Sequence, residues 1–196
     1  ELAVPSSENG GKSRTFAPRN MAKISKTNRA SVIKDLKSND EAFALKAIEK
    51  VKKGGDASLI PELLSALSET TEAGIENAIS QLLFDLKDKE AVEELVNQMV
   101  NPAFADIRVI MLSACWQTGI DLSHRLPDLV TVVSTGSYME CLEVLTIVEN
   151  WEGISGQEML DLEIIRLKSF LTESDKPEND EMVFSIIEVL EKFVTQ

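Results

Sequence analysis

The chain has 196 residues, 43% hydrophobic and 27% charged, with a net charge of −13 at pH 7. These are globular proportions, which exclude a disordered polymer and leave enough chain to bury a substantial core. The acidic balance disfavours wrapping of a nucleic acid, and no apolar run reaches the ~18 residues of a membrane span.

The charge is uneven. Residues 1–40 hold eight Lys/Arg against four acids, so +4 stands at the start and −17 is left for the remainder of the −13 total. Residues 1–26 are polar, rich in Ser, Gly, Asn and Pro, and without period; they read as a flexible basic N-terminal arm. Residues 27–196 read as one helical domain. A first helix, 28–37, is marked by Val32, Ile33 and Leu36. Ser38-Asn39-Asp40-Glu41 fits a capping box ahead of a helix over 40–53, whose inward residues are Ala44, Ala47, Ile48 and Val51. Gly54-Gly55 stops it. A helix over 58–68 carries Ile60, Leu63, Leu64 and Leu67 at i, i+3, i+4 and i+7, with Pro61 in the first turn, where a missing N–H costs little. Helices follow over 72–86 and 89–100, then, after Asn101-Pro102, over 103–118 and 123–134. Ser137-Tyr138-Met139-Glu140 is a second capping box and opens a helix to Trp151. Ser155-Gly156-Gln157-Glu158 announces one to Thr172, and a last amphipathic helix spans 180–195.

The apolar frame of the 58–68 helix returns as Val92, Leu95, Val96, Met99 and as Leu126, Leu129, Val130, Val133, spaced by 32 and then 34 residues. A weaker copy is Ile164, Leu167, Leu171. A helical unit recurring at this period buries its apolar stripe only against its neighbours, the arrangement of a repeat solenoid.

The run from Gly55 to Leu67, with its acidic turn and apolar-Pro-x-x-Leu opening, resembles the second half of a HEAT-like repeat. Arg125-Leu126-Pro127-Asp128-Leu129-Val130 is similar but lacks the Gly-Asp turn. The resemblance covers about 40 to 172. It implies an all-α fold, an α-α superhelix of about four helix pairs, with 28–37 and 180–195 as terminal caps. It also implies a protein-binding scaffold rather than an enzyme. A cytoplasmic monomer is the expectation.

Residues that would announce chemistry are missing. His124 is the sole histidine and precedes Arg125, whereas HEAT-type metal oxygenases rely on several His-Glu pairs. Cys115 and Cys141 sit in apolar helical stretches, as buried thiols do. There is no G-x-S-x-G elbow, and Gly10-Gly11-Lys12-Ser13 lacks the strand and helix of a phosphate loop. No catalytic residue, metal or cofactor is expected.

Two surfaces stand out as binding candidates. Opposite the core frame of the second helices lie Glu62 and Glu69, then Glu94 and Asn97, then Asp128, Thr131 and Val132, then Phe170, an acidic groove suited to a protein with a basic segment. On the outward side of the first helices, Phe84 and Trp116 recur 32 residues apart, and Val109 and Leu112 share the side of Trp116. Such an aromatic ridge would anchor a partner. The competing readings are a solvated acidic face and a ridge buried by loops. The second functional reading is contact with RNA or the ribosome through the basic arm.

Overall fold

The computed structural model describes residue 24 and residues 26–38, 40–154, 156–173 and 177–194. The basic arm, apart from Ile24 and Lys26, and Ser155 therefore lie outside the described residues. Those that are described form ten α-helices and no strand: α1 (Lys26–Leu36), α2 (Glu41–Gly54), α3 (Ile60–Glu69), α4 (Ala73–Phe84), α5 (Lys89–Met99), α6 (Arg108–Gln117), α7 (Leu126–Thr135), α8 (Tyr138–Glu149), α9 (Gln157–Glu173) and α10 (Asp180–Val194). No helix among them is long and apolar enough to cross a membrane.

Local chemistry sets most boundaries. Ser137 and Glu140 form the expected capping box, each satisfying the other's backbone amide at the start of α8. The expected box at Ser38 is corrected. Asp40 caps α2, its carboxylate accepting from Ala42 N at 2.9 Å and Phe43 N at 3.4 Å, while the Ser38 hydroxyl accepts only from Asp40 N. An aspartate one residue before the helix reaches the free amides more directly than a serine three before it. The single helix expected over 103–118 is also divided. Asn101 accepts from Ala103 N, and a 3₁₀ stretch, Pro102–Ile107, precedes α6. Phe104, whose ring is buried, leaves helical geometry at φ −112°. At the far end Gly119 takes φ +66°, a left-handed value open to glycine, and turns the chain out of α6.

The helices pack in two layers. In one, α2, α4, α6, α8 and α10 each contact the next; in the other, α3, α5, α7 and α9 do the same. Successive helices touch across the layers, α3 with α4, α5 with α6, α7 with α8 and α9 with α10, and α1 lies against α2 and α3. The repeating frame fills the space between: Leu63, Leu64, Leu95, Val96, Leu129 and Val133 are all fully buried. Each such side chain contributes about 1.5–3 kcal/mol by leaving water, and each does so only because the next unit covers it.

Polar ties join the units at nearly the same interval. Arg108 Nη1 meets Glu140 Oε1 at 2.8 Å, Lys52 meets Asp85 at 3.1 Å, Lys87 Nζ donates to the Thr118 carbonyl at 3.4 Å, and Arg125 Nη1 meets Glu93 at 2.9 Å. Their sequence separations are 32, 33, 31 and 32 residues. Asn179 Nδ2 donates to the Gly136 carbonyl at 3.1 Å and holds the turn before α10 against the α7–α8 turn.

Candidate interaction surface

The outer face of α3, α5, α7 and α9 is cross-linked rather than bare. Lys37 Nζ reaches Glu62 Oε2 at 3.2 Å. The Ser65 hydroxyl donates to Glu69 at 2.8 Å. Glu94 accepts from Gln98 Nε2 at 2.9 Å and from Asn97 Nδ2 at 3.2 Å. The centre of the face is Arg125, which opens α7. Its guanidinium spreads over three acceptors: Glu93 Oε2 at 2.9 Å, Asn97 Oδ1 at 2.9 Å and Asp128 Oδ2 at 2.8 Å. Burial disfavours the charge on Arg125, but hydrogen bonds and charges from Asp128 and Glu93 outweigh it and its pKa is raised further. The other oxygen of Glu93 lies 2.8 Å from His124 Nε2. One rung on, Arg166 donates to Thr131 Oγ1 at 3.0 Å and to the Pro127 carbonyl at 3.4 Å.

Of the eight groove candidates, Glu62, Glu69, Glu94, Asn97, Asp128 and Thr131 thus share this face and are already engaged within the chain. Val132 is corrected: at 1% exposure it belongs to the core. As a middle rung, α7 has neighbours on both sides of its layer as well as α8 beneath. Its buried arc is therefore wider than the single stripe that a 100° wheel assigns. Phe170 is half-buried and packed on the core. Beside the engaged residues lies an open cleft of about 810 Å³, lined by Ala57, Ser58, Asp88, Lys89, Glu90, Glu93, Glu94 and Asn97. Four carboxylates against one lysine give it a negative potential, which draws in cations. A smaller apolar cavity of about 330 Å³ opens between α3 and α4–α5, with Val51, Ile60, Leu63, Leu82 and Ala91 as its floor and the Lys52–Asp85 pair at its rim.

The aromatic ridge is largely covered. Leu112 is fully buried, Phe84 and Val109 are half-buried, and only Trp116 keeps appreciable exposure, 39%. Its indole N–H donates to Glu143 Oε2 on α8 at 2.8 Å. Leu112 is a second correction. An α-helical count begun at Ile107 puts it on the side of Trp116, but Ile107 has non-helical φ −108° and ψ 5°, so that count does not carry into α6. In α6 the buried side is Met111, Leu112, Ala114 and Cys115.

Reactive chemistry finds little support in these side chains. Burial pushes the Cys115 thiol up to about 12, with Arg125 pulling weakly the other way, so it stays protonated at neutral pH. Cys141 is buried too. No group of His, Cys, Asp or Glu among the described residues could hold a metal ion.

Sequence reading missed Glu93 and Arg125; it placed Arg166 on the groove face. A signal was there to find: Arg125 follows Glu93 by one repeat, so opposite charges at equivalent positions of adjacent units are neighbours in space. No protein-family model, curated protein or solved structure matches the chain. The HEAT-like resemblance therefore rests on the residues quoted for it.

Proposed function

We propose that this chain is a non-enzymatic, HEAT-like superhelical scaffold that binds a protein through its acidic second-helix face, the partner contributing a basic segment. One observation carries the reading: α3, α5, α7 and α9 stack as successive rungs whose common outer face is polar and acidic, with an open cleft at Glu90, Glu93 and Glu94. A rigid face of this kind presents side chains at fixed spacing along its length. The internal ties sharpen the proposal. Arg125 neutralises the centre of the face, so the cleft beside α5 keeps the strongest uncompensated charge. A Lys or Arg side chain entering there would be steered by the field and screened by salt.

The test is titration of the full chain with a fluorescein-labelled, extended Lys/Ser peptide at low and high salt. The expected result is saturable binding that weakens with salt and falls at least about tenfold in Glu90→Lys/Glu94→Lys, about 1.4 kcal/mol. Equal binding by that variant would remove the cleft as the site. Salt-sensitive binding of an RNA oligonucleotide that disappears on deletion of residues 1–26 would favour the arm and a nucleic-acid partner instead.

A further inference from the structure

The two layers end differently from how they proceed. Each of α3, α5 and α7 is covered on its forward side by the next second helix, and each of α2 to α8 by the next first helix, whereas no described helix follows α9 or α10. That side carries two well-exposed apolar side chains, Ile165 at 60% and Phe184 at 58%.

Two contacts, with the helical period, place Ile165 and Phe184 on that side. Arg166 bonds α7 and so marks the backward side of α9. Lys168, two residues or 200° away, bonds Glu191 of α10 at 2.6 Å and marks the forward side. Ile165 is three residues from Lys168 and lies next to it on the helix. On α10, Phe184 is seven residues before Glu191, two turns along the same stripe. The Lys168–Glu191 pair therefore crosses a surface with Ile165 on one flank and Phe184 on the other. Exposed carboxylates rim it: Glu158 and Asp161 on α9, Glu181 and Glu188 on α10.

We propose that this face of α9 and α10 docks a basic amphipathic helix of a partner protein, laid along the two helices. Ile165 and Phe184, one on each side of the ion pair, call for apolar residues on one stripe of the partner, and the carboxylate rim for Lys or Arg beside them. A second copy fits worse in either orientation. Face to face, the two carboxylate rims would oppose each other. Head to tail, it would meet α1, whose exposed residues Asn28, Ala30, Ser31 and Lys34 include no large apolar side chain. The inference deepens the protein-binding reading above, on a separate surface.

The probe is an 18-residue helical peptide with leucines on one stripe and lysines on the other, set against a scrambled peptide of equal composition that has no stripe. Binding of each to the full chain is read by fluorescence anisotropy, with circular dichroism confirming that the variants fold. Exposed substitutions of this kind leave stability nearly unchanged. The expected result is at least about tenfold preference for the striped peptide, lost in Ile165→Ser/Phe184→Ser and kept in Glu90→Lys/Glu94→Lys. Equal binding of the two peptides, or undiminished binding by the Ile165→Ser/Phe184→Ser variant, overturns the proposal. So does sedimentation of the wild type as a dimer that this variant dissociates, which would make a second copy the occupant. Loss of peptide binding only in the α5 variant would sink this inference and leave the cleft reading standing. Failure of every basic peptide to bind would sink both.

Discussion

Replacing Glu140 with alanine removes the most deeply placed ionic tie between two units. Glu140 accepts from Arg108 Nη1 at 2.8 Å and from the Ser137 amide at 2.6 Å, closing both the α6–α8 contact and the N-terminus of α8. The pair is 12% and 9% exposed at its two side chains, so water can barely replace the lost partner. Breaking one member of such a pair costs about 3–5 kcal/mol, because the other charge stays buried and alone. Arg108 keeps one contact, its Nε donating to the Met99 carbonyl at 2.8 Å, which favours the lower end of that range. A loss of about 3 kcal/mol lowers the melting temperature of a chain this size by about 6–12 °C. Urea titration of wild type, Glu140→Ala, Arg108→Met and Arg108→Met/Glu140→Ala measures the coupling directly. The double variant is expected to be more stable than either single one, since it leaves no orphan charge. A single-variant cost below about 1 kcal/mol, or strict additivity, would refute the assignment of Arg108–Glu140 as a buried staple.

Other consequences can be checked on the same purified protein. Leu95→Ala and Leu129→Ala each remove a fully buried frame residue and should cost about 2–5 kcal/mol, read from the denaturation midpoint. Trp116→Ala should cost far less than the ~3–5 kcal/mol of a buried aromatic, since its ring is 39% exposed, and iodide should quench part of the indole fluorescence of the wild type. Arg125→Ala uncovers Glu93 and Asp128, and should raise affinity for the extended Lys/Ser peptide while lowering stability. With its thiol at about 12, Cys115 should resist alkylation at pH 8 in the native state and react once urea unfolds the chain; alkylation at equal rates in both states would contradict its burial.

Helix positions and the core were legible because both depend on residues close in sequence. The frame Ile60, Leu63, Leu64, Leu67 and its copies announce which side of each helix is buried, and all twelve residues of the three strong copies are buried. Width of burial was not legible. Val132 and Leu112 lie outside a one-sided stripe, yet both are buried, because α6 and α7 each pack against helices on more than one side. The charged face was misread for the same reason. Counted along single helices, Glu62, Glu94 and Asp128 form a run of free carboxylates; between elements, Lys37 meets Glu62 and Arg125 meets Glu93, while Asp128 is met by Arg125 three residues before it. The repeat period supplies the missing dimension. Arg108 and Glu140, Lys52 and Asp85, and Arg125 and Glu93 stand 32, 33 and 32 residues apart, close to the interval of the apolar frame. A sequence of this kind is better read on a lattice, with the chain along one axis and the unit number along the other. On that lattice opposite charges one interval apart fall side by side, as Arg125 and Glu93 do at 2.9 Å.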